Sequence, residues 1–327
     1  MKLGLDIGGT KTAAAVLGDD GSLVVLRTAP SGYGAEGILR VASALARDAV
    51  AGAGGQRMDF VGACMPGLVD RESGVVRHAV NLGVDSINLA AELESELGMP
   101  VVVENDVKAA ALGAHGIVSA RAGERPAAAS SHGPESTLAY LNLGTGMAAA
   151  VVLNGEVLRG ADGMQGEIGH FPVGGKVLCP CGQVGCLETL ASGSALARMW
   201  PRSEDAEKDP FAAALSGDET ARRAASELCR GVALAIQLLA LSTGAERILI
   251  GGGMAALGAP LTEGIRSHLR RRARGSRFVE SLGLPERFEL FPSDIPLAAL
   301  GAAALPPHSR APTAVPAGRL SALTAIP

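Results

Sequence analysis

Aromatic side chains are scarce in this chain of 327 residues. It has one Trp, two Tyr and six Phe, although hydrophobic residues make up 47% of the sequence. The core must therefore be built from small aliphatic side chains. The charged fraction is also low, at 19%, which argues against a wholly disordered chain because disorder goes with high charge and low hydrophobicity. The length corresponds to about two domains.

A strong excess of charge of either sign is also lacking. Lys and Arg number 29 and Asp and Glu number 33, for a net charge of −4. This balance gives no electrostatic footprint for nucleic acid. The longest apolar run, near residues 232–241, is too short to cross a bilayer, and Asp6 interrupts any secretory signal core. We therefore predict a cytoplasmic protein that binds neither nucleic acid nor membrane.

Cysteines are few, and three of the five crowd into eight residues. An odd count with this crowding indicates a metal site in a reducing compartment, not a disulfide framework. Gly182 and Gly185 let the chain turn tightly enough for three sulfurs to converge, and four protein ligands would make a closed, structural Zn²⁺ site. The alternative is a set of reduced surface cysteines without metal. The candidate ligands are His170, Cys179, Cys181 and Cys186.

An internal repeat suggests two duplicated halves. Each copy has an apolar strand, a Gly/Thr turn, a second apolar strand, a polar glycine turn and a third short strand. Asp20-Gly21 and Asn154-Gly155 are typical hairpin turns. Two such meanders about 135 residues apart predict halves that face one another, and chance similarity of glycine-rich apolar segments is the alternative. The segments are LGLDIGGTKTAAAVLGDDGSLVVL at 3–26 and AYLNLGTGMAAAVVLNGEVL at 139–158.

Hydrophobic spacing predicts helices and strands between these meanders. Helices are expected near residues 38–49, 89–97, 107–114 and 228–241, and after the glycines at 251–253. Buried strands are expected at 99–103 and 248–250, and loops at 119–136 and 201–210. The predicted domains are 1–117, joined by a C-terminal helix near 296–305; 118–295, which carries the zinc loop; and a disordered tail at 306–327.

Glycine turns at the start of each half are candidate phosphate sites. Glycine lets backbone N–H groups point inward as an anion nest, and Asp6 could hold Mg²⁺ directly or through water. Each turn alone is better explained as a plain hairpin, whereas the two together, on facing halves, indicate a clamp on the phosphates of a nucleotide. The glycines after residue 250 are weak evidence by themselves. The residues concerned are Gly8, Gly9, Thr10, Gly144, Thr145, Gly146, Gly251, Gly252 and Gly253.

Asp106 is the candidate general base. It follows a predicted buried strand, and ligands bind at the carboxyl ends of strands in α/β sheets. The alternative is a helix N-cap, a position that suits Asp. Further hydrogen-bonding groups flank the zinc loop or precede Asp106, with surface polar groups as the alternative interpretation. These are Asn105, Glu167, His170 and Glu188.

Six motifs, in order, resemble the ROK family of sugar kinases, repressors and related open reading frames. The resemblance covers about residues 3–305 and implies an α/β, actin/hexokinase-like (ribonuclease H-like) fold of two duplicated domains with a cleft between them. The motifs are DIGGTKT at 6–12, PGLVD at 66–70, END at 104–106, GTG at 144–146, EIGH at 167–170 and CPCGQVGCLE at 179–188.

The resemblance also implies residue roles. Asp106 would be the catalytic base, and Lys11 would join the phosphate-binding glycines. Sugar contacts would come from Gly67, Asn105, Glu167, His170 and Glu188, with His170 serving both zinc and sugar. Two departures stand out. The GTG turn continues into Met147 and three alanines instead of further glycines, and Gly83 and Val84 follow Asn81-Leu82 where the family often has Trp.

The prediction is therefore an ATP- and Mg²⁺-dependent hexose kinase with a structural Zn²⁺, acting first on glucose to give glucose 6-phosphate. Alternatives are the same reaction on N-acetylglucosamine, N-acetylmannosamine, mannose, allose or fructose, or a sugar sensor without catalysis. A transcriptional regulator is disfavoured because only two residues precede the first strand. A homodimer or homotetramer is implied by the resemblance alone.

Overall fold

The computed structural model describes residues 1–121, 137–202 and 207–306, and within these ranges the chain forms thirteen strands and nine α-helices. The strands are β1 Lys2–Ile7, β2 Lys11–Leu17, β3 Leu23–Pro30, β4 Val61–Met65, β5 Leu68–Asp70, β6 Val75–Ala79, β7 Val84–Asn88, β8 Val101–Asn105, β9 Thr137–Leu143, β10 Met147–Leu153, β11 Glu156–Val157, β12 Arg247–Gly251 and β13 Phe288–Leu290. The helices are α1 Gly34–Gly52, α2 Leu89–Leu97, α3 Asp106–Arg121, α4 Gly193–Met199, α5 Pro210–Leu215, α6 Glu219–Thr243, α7 Gly258–Ala273, α8 Arg277–Ser281 and α9 Leu297–Ala303.

Two five-stranded sheets repeat one topology. The first has the order β3-β2-β1-β4-β8 and the second β11-β10-β9-β12-β13. In each, the first three strands along the chain form an antiparallel meander, and the last two add in parallel. A small third sheet, β5-β6-β7, lies within the first half of the chain. The predicted duplication and the predicted α/β fold are thereby confirmed.

Polar caps and glycines fix the ends of α2 and α6. Both ends of α2 and the C-terminal end of α6 lie where the sequence predicted them, whereas α6 begins nine residues earlier than predicted. The Asn88 side chain accepts the Ala91 N–H at the start of α2, and Gly98 ends that helix with φ 67°. Asp218 caps α6 in the same way, and Gly244 ends it with φ 69°. An Asx cap and a left-handed glycine satisfy backbone groups that a helix end leaves unpaired.

Helix α9 packs on the first sheet and on α3 at glycine positions. A Cβ on Gly62 would lie 1.8 Å from the Ala302 carbonyl oxygen, and one on Gly4 would lie 2.0 Å from the Ala299 oxygen. A Cβ on Gly301 would lie 1.7 Å from the Ala109 oxygen of α3. Backbone therefore meets backbone, and the last helix of the described chain is locked onto strands β1 and β4.

Replacing Gly62 with Ala is expected to destabilise the protein by about 3 kcal/mol, because an overpacked site must displace its neighbours and the neighbour here is backbone. Urea unfolding measures the loss. Gly116→Ala is the matched control, since this helical glycine has no atom within 4 Å of an added Cβ and should gain about 0.5–1 kcal/mol from helix propensity. Equal stability of the two variants would contradict the packing argument.

Some predicted boundaries were wrong. Strand β8 begins two residues later than expected because Pro100 has no N–H to add to the sheet. Helix α3 continues to Arg121, so the predicted loop at 119–136 begins inside a helix and the predicted domain border at 117/118 falls within it. The rest of that loop, residues 203–206 of the second loop and the tail from 307 lie outside the described residues. The domain division itself stays a prediction.

The element after the third glycine turn also differs. Gly253–Leu257 forms a 3-10 turn, and α7 follows with buried residues on one side only. Three arginines stand in its last turn, so the prediction of an apolar helix was wrong. Basic side chains are favourable near a helix C-terminus.

Helix α6 has the length and composition of a membrane-spanning segment, the one such helix in the described ranges. It is longer than the apolar run at 232–241, which was expected to be too short for a bilayer. Most of its apolar window is buried, and Leu228, Val232, Ile236 and Leu239 belong to the core beside the second sheet. A core helix of this kind is weak evidence for a membrane span.

Candidate active site

A cavity of about 290 Å³ lies between the two sheets, where their strands end. Asp6 is at the end of β1, Asp106 directly follows β8, and Gly251 ends β12. The carboxyl ends of parallel strands meet at one edge of a sheet, where ligands bind. Polar and glycine residues that line the cavity are Asp6, Gly8, Lys11, Thr28, Asp106, Tyr140, Asn142, Gly251, Gly252, Gly253, Ser293 and Asp294.

Asn105 holds Asp106 in place. Its side-chain oxygen accepts the N–H groups of Val107, at 3.0 Å, and Lys108, at 3.2 Å, so Asn105 performs the capping that was the alternative role for Asp106. The Asn105 amide nitrogen donates to the Asp106 carboxylate at 3.1 Å and to the Gly67 carbonyl at 3.2 Å. The Asp106 carboxylate is therefore oriented by its neighbour and free to face the cavity.

Burial raises the pKa of Asp106 to about 6, and the negative charge of Glu167 adds to this, while the Val107 N–H opposes it. Burial likewise raises the pKa of Asp6 to about 7, with a further contribution from Asp106. The Cys64 thiol, 3.8 Å from Asp6 Oδ1, acts to lower the pKa of Asp6. A carboxylate with a pKa near 6 suits a general base at neutral pH, because the best catalytic pKa lies near the working pH.

A buried ionic network connects the first sheet to the segment that carries Glu167. Arg159 Nε donates to Glu104 Oε2 at 2.8 Å, and Lys108 Nζ donates to the Gly163 carbonyl at 2.8 Å. Glu104 and Lys108 are 2% and 3% exposed. Buried charges are retained where they are paired and hydrogen-bonded, so these contacts fix the Glu167 segment beside Asp106.

The histidine and the three cysteines of the zinc motif converge. Their ligand atoms all lie within 4.8 Å of one another. Cys179 Sγ is 3.6 Å from His170 Nδ1, and Cys181 Sγ is 3.6 Å from Cys186 Sγ. Zn–S and Zn–N bonds of about 2.3 and 2.0 Å in a tetrahedron require separations of this size. The four side chains therefore fit a zinc ion, and His170 would keep its other ring nitrogen for a second partner.

Glu188 connects this cysteine loop to the second glycine turn. Its Oε2 accepts the Met147 N–H at 2.9 Å, and its Oε1 is 3.9 Å from Cys179 Sγ. A Cβ on Gly146 would lie 2.5 Å from Glu188 Oε2, so the glycine makes room for the carboxylate. The sequence predicted a sugar contact for Glu188, and that role stays a prediction.

The glycine turns line two neighbouring cavities. Gly8 and Lys11 line the first, whereas Gly144 and Thr145 line a second cavity of about 510 Å³ together with Ser194 and Met254. Gly253 belongs to both, so the 251–253 turn joins them. Gly9, Thr10 and Gly146 line neither of these two cavities. Their predicted phosphate contacts stay predictions.

The alanines after the second turn point away from both cavities. The Ala149 N–H donates to the Gly166 carbonyl at 2.8 Å, and its side chain lies in the core beside the second sheet. Ala148 and Ala150 pack in the cluster that includes α3. None of the three alanines lines either cavity, so this departure from the family pattern does not narrow them.

Sequence reasoning missed Tyr140, Asn142 and the segment 292–296 as cavity residues. Tyr140 and Asn142 alternate along β9, so both point to one face. Polar side chains at alternate positions of an otherwise apolar strand were the available signal. No sequence signal marks the segment at 292–296, because it reaches the cavity only through the placement of α9.

Comparison with known proteins places the chain in a family. Residues 2–305 match the ROK family. A glucokinase from Halalkalibacterium halodurans is 33% identical over 311 residues, covering 86% of this chain and 90% of that protein. An N-acetylmannosamine kinase from Escherichia coli is 30% identical, covering 77% of this chain and 82% of that protein.

Two solved structures share the fold over 93% of this chain. The ROK hexokinase from Thermus thermophilus has a TM-score of 0.73 at 32% identity, with 97% of that chain covered. The ROK family glucokinase from Streptomyces griseus, in complex with glucose and AMPPNP, has a TM-score of 0.71 at 28% identity, with 98% covered. Since the family match spans nearly the whole described chain, the protein belongs to the ROK family, as its six motifs predicted.

Proposed function

We propose that the protein is an ATP-dependent sugar kinase that phosphorylates a hexose hydroxyl, with glucose as the first candidate substrate. The observation that carries this proposal is the Asp106 carboxylate at the end of β8. It is oriented by Asn105, its pKa is raised to about 6, and it shares a cavity with Gly8, Lys11 and the 251–253 turn. A base beside anion-binding glycine turns is the arrangement that phosphoryl transfer to a hydroxyl requires.

In this proposal Asp106 accepts the proton of the attacking hydroxyl, O6 in a glucose substrate. Asn105, Glu167, His170 and Glu188 hold the sugar through its other hydroxyls. The backbone N–H groups of the glycine turns and the Lys11 ammonium hold the phosphates in line. Mg²⁺, held at Asp6, would supply positive charge to the phosphates. Positioning and electrostatics then account for most of the rate, because phosphoryl transfer asks little covalent chemistry of the protein.

The zinc site has a positioning role in this proposal. Its four ligands fill a tetrahedron, so the ion would be structural. It would fix His170 directly and Glu188 through the backbone, because Glu188 lies in the turn Leu187–Thr189 that directly follows the ligand Cys186. Reduced thiols in such a site agree with the predicted cytoplasmic location. A homodimer or homotetramer stays a prediction.

Glucose takes first place because two of the similar proteins described above are named glucokinases. The N-acetylmannosamine kinase keeps N-acetylhexosamines as the second candidate class. Gly83, where a Trp was expected from the family pattern, is covered on one side by the Tyr33 ring: an added Cβ would lie 2.5 Å from Tyr33 Cζ. Tyr33 belongs to the segment between β3 and α1, so the space beside Gly83 is filled from another part of the chain.

The test is ADP release from ATP and Mg²⁺ across a panel of hexoses and N-acetylhexosamines. We expect one sugar, glucose first, to raise the rate by orders of magnitude over the sugar-free rate, because sugar binding excludes water and completes the site. Stimulation by an N-acetylhexosamine alone would show that this sugar, and not glucose, is the substrate of the proposed kinase reaction. Absence of stimulation by every sugar, in protein with a full zinc complement, would reject the kinase proposal in favour of a sensor.

A further inference from the structure

Tyr140 is a buried polar side chain on the second sheet that the proposed mechanism does not use. It is 3% exposed and lines the same cavity as Asp6 and Asp106. Strand β9 pairs with β12 in parallel, with Leu249 beside Tyr140 and Gly251 beside Asn142. The ring therefore lies against the strand that leads into the 251–253 turn.

The turn is shaped around the Tyr140 hydroxyl. A Cβ on Gly251 would lie 2.1 Å from Tyr140 Oη, so only glycine leaves room for the hydroxyl there. The Gly252 N–H faces the same oxygen and acts to lower the pKa of Tyr140. Because this contact uses the oxygen as an acceptor, the hydroxyl proton is left to donate in another direction.

Because Tyr140 lines the cavity, a group bound there can accept this proton. Tyr140 interacts electrostatically with both Asp106 and Asp6, which stand on the opposite, first-sheet side. Burial and these two negative charges raise the pKa of Tyr140, so the hydroxyl keeps its proton at every working pH. It is a permanent neutral donor in a site where two carboxylates and a phosphoryl group place negative charge.

We propose that Tyr140 is a further catalytic residue, whose hydroxyl donates a hydrogen bond to a non-bridging oxygen of the phosphoryl group as it passes to the sugar. This proposal rests on the proposed kinase function. The tyrosine proton stays on Tyr140 throughout, and no bond to the tyrosine forms. A fixed donor in a site shielded from water stabilises developing charge more strongly than water does, because it needs no reorganisation.

The competing role is purely structural. Tyr140 also packs in the apolar cluster with Val107 and Ala110 of α3, and its oxygen supports the Gly252 N–H. In that case loss of the hydroxyl would loosen the 251–253 turn and weaken nucleotide binding, whereas the rate of the bound complex would stay the same. Loss of the hydroxyl therefore lowers kcat if the role is catalytic, and raises the KM for ATP at unchanged kcat if the role is structural.

Replacing Tyr140 with Phe removes the hydroxyl and keeps the ring. We expect kcat to fall about 10²-fold, as for loss of one transition-state donor, with unchanged KM for the sugar. Tyr33→Phe is the matched control, because Tyr33 is the other tyrosine of the chain and is 77% exposed; its kcat should equal that of the unmodified protein. A higher KM for ATP at unchanged kcat would overturn the proposal in favour of the structural role.

A second measurement does not depend on turnover. Protein produced with 3-fluorotyrosine contains two fluorine sites, since the chain has two tyrosines, and Tyr33→Phe assigns the two resonances. We expect the Tyr140 resonance to shift when AMPPNP, Mg²⁺ and the preferred sugar are added together. A resonance that stays in place would overturn the proposal. If the unmodified protein turns over no sugar, both the function and this inference fail; if it is active and Tyr140→Phe is equally active, only this inference fails.

Discussion

Asp106→Asn is expected to lower kcat by about 10²- to 10⁴-fold, the usual contribution of a general base. The amide keeps the shape of the carboxylate and can still accept the hydrogen bond from Asn105 Nδ2, now 3.1 Å from Asp106 Oδ1. The sugar Kd should therefore stay within a few-fold, as measured by calorimetry without ATP. Asp85→Asn, at an exposed position of β7, is the matched control. A variant with near-normal kcat would show that Asp106 is not the base.

The same variant is expected to be more stable than the unmodified protein at pH 8. The pKa of Asp106 is about 6 in the folded state, against 3.8 for an ordinary Asp carboxyl, so the folded state holds this proton more tightly than the unfolded state. The free energy of unfolding consequently falls as pH rises from about 4 to about 6 and stays lower above that. Two pKa units correspond to about 3 kcal/mol, which Asn would recover. Thermal unfolding should show a gain at pH 8 and almost none at pH 4.

Cys181→Ser is expected to remove the bound metal and weaken sugar binding together. One ligand of four is lost, and the cluster anchors His170 directly and Glu188 through the turn that follows Cys186. Loss of one or two charge-assisted hydrogen bonds to the sugar corresponds to a rise of about 10- to 100-fold in Kd. Elemental analysis gives the zinc content, and calorimetry gives the sugar Kd on the same sample.

Cys229→Ala is the control for this experiment. Cys229 is a buried thiol between α6 and α7, 4.0 Å from the Leu261 carbonyl, and is not part of the metal cluster. It should keep a full complement of zinc and the normal sugar Kd. A zinc-free Cys181→Ser protein that binds sugar normally would refute the positioning role of the metal site.

Local patterns in the sequence predicted the parts of the site that lie close together along the chain. Asp106, its neighbour Asn105 and the metal ligands between 170 and 186 all belong to short motifs. The meanders and the C-terminal ends of α2 and α6 were also predicted, because hydrophobic period and turn residues act over a few positions.

Local sequence patterns could not predict contacts between segments that are distant along the chain. Arg159 pairs with Glu104 and Lys108 reaches Gly163, each across 55 residues. No local pattern specifies such partners, since they follow from the way the two sheets meet. The sequence shows Tyr140 only as a polar residue in an apolar strand. Its contact with Gly251 and its place in the same cavity as Asp106 follow from the tertiary structure.

The docking of α9 has a consequence for how this protein is made. Strands β1 and β4 lie near the start of the chain, yet the helix that covers them is the last element of the described residues. Ribosomes add about 5–20 residues per second, and more than 200 residues separate β4 from α9. The face of the first sheet that receives Ala299 and Ala302 therefore waits uncovered on the ribosome for on the order of ten seconds or longer. The half of the chain that is made first is therefore the last to complete its packing, and its sheet exposes an uncovered face during synthesis.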